Sequence, residues 1–180
     1  LRPLVARIGL RPPRCAPAEY LRRCVGGRPP GLLAHGNYFG EADFAALARA
    51  GHTVVYCPRA HHFFQHPPHP LGALRAAGVP VVFGTDSAAS NTGLGILDEL
   101  QFVATRVAGA PPADELLRLA TLGAAGALGL ADRIGTLEPG KQADLAAFAC
   151  DPRTMDPVGD LIARPPAAAT AVWVAGQRVV

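Results

Sequence analysis

Residues 81–91, VVFGTDSAASN, carry an apolar run straight into Thr85 and Asp86 and then into small polar residues. An ionised carboxylate at the end of a buried strand is costly unless it is paired, hydrogen-bonded or bound to a metal. TDS is also good turn chemistry, so capping of the following turn is the competing reading of Asp86. Upstream, LLAHG (32–36) is a short apolar run ending on His35, and TVVYC (53–57) is a second that leads into Pro58 and Arg59. Between them, EADFAALARAG (41–51) places Phe44, Leu47 and Ala48 on one helical face and closes on Gly51, while LGALRAAG (71–78) is a further short helix. A Pro- and His-rich loop is expected over about residues 58–70.

The order is strand, helix, strand, helix, strand, which means parallel βα units, since parallel strands need crossovers and are buried on both faces. Periodicity alone does not separate a Rossmann-like sheet from part of a (β/α)8 barrel. In either case, active sites gather at the carboxyl ends of the strands, where His35, the Cys57-Pro58-Arg59 exit and Asp86 all fall. Helix-period segments continue from about Leu94 to Leu130. IGTLEPGKQADLAAF (134–148) is a turn-rich stretch feeding a strand, and AAATAVWVAGQRVV (167–180) holds two β runs about a Gly turn. At the start, PAEYLRRCV (17–25) has helical spacing behind a Pro.

The chain has 180 residues, 49% of them hydrophobic, with a net charge of +3, a single Lys and scattered Arg residues. That supports a packed core and does not make a nucleic-acid footprint. Cys15, Cys24, Cys57 and Cys150 stand far apart without a CxxC pair, which fits reduced thiols. No run reaches the roughly 18 apolar residues of a membrane span, and LRPLVARIG lacks a signal-peptide core, so a cytoplasmic protein is expected.

A strand-end His with a strand-end Asp fits hydrolytic metal chemistry, in which Zn2+ brings the pKa of a bound water to about 7 and a carboxylate takes its proton. A satisfied core histidine is the alternative for His35 alone. LLAHGN, VVYCPRAHHFF, GVPVVFGTDSAASN, IGTLEPGKQADL and AVWVAGQRVV, in that order, resemble the C-terminal half of the amidohydrolase superfamily. The nearest likeness is to the chlorohydrolase and S-adenosylhomocysteine or methylthioadenosine deaminase branch. The resemblance implies an α/β fold: residues 1–130 form strands six to eight of a (β/α)8 barrel with their helices, and 131–180 form strands of a small β-sandwich. It implies that Asp86 binds a divalent metal, Zn2+ above others, and shuttles a proton, and that His35 hydrogen-bonds the attacking water or leaving group. Lys141 and Asp144 become turn residues of the PGKQADL stretch.

The sequence departs from the family after strand seven, where Cys57-Pro58-Arg59-Ala60-His61-His62 replaces the usual Ser-Asn context. Arg59, through its donor fork, and His61 and Ser87 are candidate substrate contacts, with surface charge and loop lining as the plain alternatives. His61, His62, His66 and His69 lie in a Pro-rich loop without a carboxylate, which argues against a metal site there. Asp98 and Glu99, in LGILDEL, are expected on a solvated helix face, and Ser87 and Asn91 are expected to tie down the loop after strand eight. The His-x-His and His-x-x-Glu elements of the family are absent from these residues. A catalytic zinc takes about three protein ligands, and a barrel about 250 residues. The expectation is therefore a C-terminal part of a longer metal-dependent amidohydrolase that deaminates or dechlorinates a nitrogen-containing ring such as a purine derivative, inactive as the chain stands. A small-molecule substrate is expected, with no nucleic acid and no membrane, and self-association of the full-length enzyme is left open. The alternatives are a non-catalytic remnant or a half-barrel completed by a partner. A nucleotide-binding Rossmann module is disfavoured because no Gly-x-Gly-x-x-Gly follows a strand.

Overall fold

The computed structural model describes residues 29–164 and 168–180, with Arg7, Cys15, Glu19, Tyr20 and Arg23 before them. The helix expected over 17–25 falls largely outside the described residues. The fold is mixed α/β. β1 (Leu32–Ala34), β2 (Thr53–Tyr56) and β3 (Val81–Phe83) form a parallel sheet in the order β1-β2-β3, with Leu33 opposite Val54 and Val55 opposite Val82. The buried centre, Val54, Tyr56, Val81, Val82 and Phe83, explains why these runs are apolar throughout rather than alternating.

The crossovers are the expected helices. α1 (Glu41–Ala50) buries Phe44 and Leu47 and stops at Gly51, whose φ of 69° lets its N–H return to the Ala48 carbonyl. α3 (Leu71–Ala76) buries Leu71 and Leu74 against the sheet. Between β2 and α3 the expected loop is in part a helix, α2 (Pro58–Phe63), with Pro58 at its first turn, where the missing N–H has no helical partner to lose. The His content of this segment hid that start signal.

α4 (Ile96–Arg106) and α5 (Ala113–Arg118) follow, and α5 runs through a π-helical turn at Leu119–Gly123 into α6 (Ala124–Ala127). Both α4 and α5 have acidic first turns and basic last turns, in line with the helix dipole. A second sheet, β4 (Leu145–Ala147), β5 (Ala171–Val174) and β6 (Gln177–Arg178), is antiparallel in the order β4-β5-β6. β5 and β6 are joined by Ala175 and Gly176, both at positive φ, as a two-residue hairpin turn requires.

A helix not expected from the sequence, α7 (Pro157–Ala163), precedes β5. The Asp156 side chain accepts the Gly159 N–H, and Pro157 sits in the first turn. Its Ile162 is buried in the main core with Leu74, Leu100, Val103 and Leu116, and Gln101 on α4 donates to the Leu161 carbonyl at 2.9 Å. Burying each such aliphatic side chain stabilises by about 1.5–3 kcal/mol. The segment 131–180 thus contributes a small sheet and also a helix that closes the core of the parallel unit. Among the described residues, no helix is long and apolar enough to cross a membrane.

Candidate active site

His35 leaves β1 with its N–H still bonded to the Val55 carbonyl at 2.8 Å, so the sheet extends one residue past the strand. Its φ is 68°, and Asp86, three residues beyond β3, has φ 59°. Only a few residue types, His and Asp among them, enter this left-handed region readily. The turn bends the chain immediately behind each strand, and both residues line one pocket of about 110 Å³ with His61, Asn37, Phe64 and His66. His35, Asp86 and His61 are thus brought together from three separate segments. Ser87 is exposed and outside the lining, and its carbonyl accepts the Ser90 N–H at 3.1 Å. His62 is also exposed, beside Phe102.

Three imidazoles, His35, His61 and His66, line the pocket, and His69 packs beside His61. His61 is buried, and its Nδ1 lies 3.1 Å from Asn37 Oδ1. Burial holds its pKa below the ordinary value, the Pro67 carbonyl opposes this, and His66, His35 and His62 deepen it. His69 Nε2 donates to the His35 carbonyl at 2.8 Å while its ring stacks on Tyr56 with centroids 3.8 Å apart. Burial pulls its pKa down to about 4, so this imidazole is neutral and Nε2 carries the proton. Nδ1 is then a bare acceptor, buried without a partner among the described residues. His66 Nδ1 meets the Tyr38 hydroxyl at 2.9 Å. Burial, joined by the Asp86 and Glu99 charges, pushes the Cys57 thiol up to about 11, which rules out a thiolate nucleophile at neutral pH.

The expectation of a solvated face for Asp98 and Glu99 is corrected for Glu99, which is 0% exposed. Its Oε2 accepts the Arg59 N–H at 3.0 Å and its Oε1 accepts Asn91 Nδ2 at 2.7 Å. Burial raises its pKa, while the Arg59 N–H, the Asn91 amide and the Arg59 guanidinium act in the opposite direction. The guanidinium itself donates to Asp98 Oδ2 at 3.1 Å and to the Thr92 hydroxyl. Those donors face the protein, and Arg59 is not among the residues lining the small pocket. Asn91 does anchor the loop after β3, donating to the Thr85 carbonyl at 2.7 Å. Sequence reasoning passed over Asn37, Phe64 and His66 as lining residues. Asn37, two positions after His35, was the one with a local signal.

For a metal, Asp86 and His35 offer a carboxylate and an imidazole, both suited to zinc. Among the described residues, no group of three or more such donors could hold an ion. Two donors at one pocket fit part of a ligand set.

A polar pocket at the carboxyl ends of parallel strands marks an α/β protein with a site of enzyme type. Residues 18–179 match the amidohydrolase family, and the chain belongs to it. It is 38% identical over 149 residues to a 5-methylthioadenosine/S-adenosylhomocysteine deaminase of Teredinibacter turnerae, covering 77% of this chain and 34% of that protein. Among solved structures it is similar to an adenosine deaminase from Xanthomonas campestris with bound zinc, with a TM-score of 0.74 at 34% identity over 97% of this chain and 41% of that one. It is also similar to the atrazine chlorohydrolase of Arthrobacter aurescens TC1 complexed with zinc, with a TM-score of 0.73 at 32% identity over 83% and 36%. The chain spans about a third of the length of the curated relatives it matches.

Proposed function

We propose that this chain supplies strands six to eight of a (β/α)8 barrel from residues 1–130, and the C-terminal strands of its β-sandwich from 131–180, in a cytoplasmic metal-dependent amidohydrolase. The reaction is hydrolytic deamination of a small nitrogen-containing ring, with a purine nucleoside or its thioether derivative as the first candidate. The observation that carries this reading is the meeting of His35 and Asp86, each just past a strand and each at positive φ, in one pocket. The names of the relatives favour deamination over dechlorination.

Asp86 contributes a carboxylate to the metal site, whose full ligand set is not found among the described residues. Zinc, when bound, supplies Lewis-acid polarisation of the reacting centre. Asp86 holds the proton taken from water and delivers it to the departing amino group, which leaves as ammonia. His35 hydrogen-bonds the water or the leaving group from the facing strand end. His61, oriented by Asn37, lines the pocket that takes the substrate. Arg59 serves substrate binding by fixing α2, and Ser87 by shaping the loop beside Asp86.

The test is ammonia release from adenosine, 5-methylthioadenosine and S-adenosylhomocysteine by the zinc-loaded protein that carries these residues. Asp86→Asn is expected to lower kcat by about 10²–10⁴-fold, the usual weight of a positioned acid-base group. Unchanged turnover in that variant would end the reading. The shortage of metal donors among the described residues favours one second reading, a non-catalytic or partner-completed form. A 180-residue chain that gains no activity with zinc or with any added partner would support the non-catalytic form.

A further inference from the structure

Glu99 occupies an unusual place for an acidic residue in the first turn of a helix. The helix dipole does not require a fully buried carboxylate, and its neighbour Asp98, half-buried and paired with Arg59, already provides an acidic group there. Taking Glu99 fully out of water costs several kcal/mol, offset only by well-placed donors. Those donors come from two different segments, each of which carries a residue of the pocket. The Arg59 N–H belongs to the second residue of α2, two positions before His61. Asn91 Nδ2 divides its two hydrogens between Glu99 and the carbonyl of Thr85, the residue immediately before Asp86. Ser90, itself buried, turns its hydroxyl toward Asp86 Oδ2 at 3.4 Å. One carboxylate therefore ties the Asp86 loop to the helix that carries His61.

We propose that Glu99 is a positioning residue that sets the separation of Asp86 and His61 by clamping the loop after β3 to the start of α2. The donor pattern makes the residue types specific. Glu99 must accept on both oxygens, and a Gln there turns an NH2 group against either the Arg59 N–H or the Asn91 amide. Asn91 must donate twice, and an Asp there faces two acceptors. The pair Glu99→Gln with Asn91→Asp repairs the link between the two side chains: the introduced amide accepts the Arg59 N–H on its oxygen and donates through its nitrogen to the introduced carboxylate. Only the Thr85 carbonyl is then left unserved.

The catalytic consequence rests on the deaminase reading above, but the clamp does not. Hydrogen exchange by mass spectrometry on the protein that carries these residues is the direct test. In Glu99→Gln, exchange over 57–64 and 84–92 rises by about tenfold, the loss of one charge-assisted hydrogen bond, while β4–β6 is unchanged. In Asn91→Asp only 84–92 rises, and the double variant returns 57–64 to the parental rate. Per folded molecule, Glu99→Gln lowers kcat by about 100-fold with little change in KM, as displacement of a reacting group predicts. A response confined to one segment in Glu99→Gln, or an equal rise everywhere, would overturn the clamp, because the second is what a purely structural residue gives. If the parent protein does not deaminate, the reading of function fails and the exchange pattern alone decides this one.

Discussion

The two sheets both place non-glycine residues at positive φ beyond a strand, and they do so to different ends. In the antiparallel sheet, Ala175 at φ 51° closes the β5–β6 hairpin, and its N–H is received by Asp144 Oδ1 at 2.8 Å. In the parallel sheet, His35 and Asp86 take the same conformation where the chain leaves the sheet, and it delivers both to one pocket. Their carboxylate supports differ in the same way. Asp144 is exposed and its pKa is lowered by the Ala175 N–H and Gln142, whereas Glu99 is buried and its pKa is raised by that burial. Strain occurs in both sheets, but buried charge is kept where geometry has to be held, and where only a turn is needed the charge stays in water.

Glycine substitution is the sharpest way to break this contrast. Asp86→Gly removes any left-handed strain, so stability measured by urea unfolding is expected to hold or rise by up to about 1 kcal/mol, while turnover falls at least about 100-fold. A variant that loses stability along with activity would mean that Asp86 braces the loop rather than serving the reaction. Ala175→Gly is the control from the other sheet. It should stabilise by about 1 kcal/mol, the usual cost of an L-residue in this region, with kcat and KM unaltered.

The smallest effect is in pH, and the two carboxylates have opposite signs. Asp144 titrates below its ordinary 3.8 in the folded chain, so the folded state binds fewer protons than the unfolded one. Its contribution is present above pH 3.8 and is lost as pH falls through the folded value. Glu99 titrates above its ordinary 4.5, so its contribution weakens as pH rises from 4.5 through the folded value. Urea melts from about pH 7 to about pH 3, followed by Trp173 fluorescence, should lose part of their acid-side fall in Asp144→Asn. Those of Glu99→Gln should lose the opposing slope above pH 4.5. Parallel profiles for the two variants would remove the distinction between the sheets.

Much of the frame is legible in the sequence because it is written in local periodicity. β1 to β3, α1 and α3 follow from apolar runs and helical spacing, and the strand-end positions of His35 and Asp86 follow from the same runs. Two helices were hidden. α2 begins at Pro58 inside a His-rich stretch, and α7 begins with Asp156-Pro157, a cap and first-turn pair within what reads as a loop. In both, the start signal was there and the surrounding composition outweighed it. Glu99 is of another kind. Nothing near it in the chain sets it apart from Asp98, and its partners are the backbone of Arg59, 40 residues away, and Asn91, whose other bond is to Thr85. Burial of one acidic residue rather than its neighbour is settled by tertiary packing, which periodicity does not encode.

Gly84, two residues before Asp86, bears on how such a site can change. Its N–H bonds to the Tyr56 carbonyl at 2.9 Å, and a methyl group placed on it would lie 2.8 Å from Val55 Cγ1 and 3.4 Å from Cys57 Sγ. The space between the second and third strand exits is thus fixed by main chain against side chain, with no slack for a single added carbon. A side chain larger than glycine is excluded at this position, two residues before Asp86. Change at this pocket has to enter through lining residues carried outside the strands, such as Phe64 and His66.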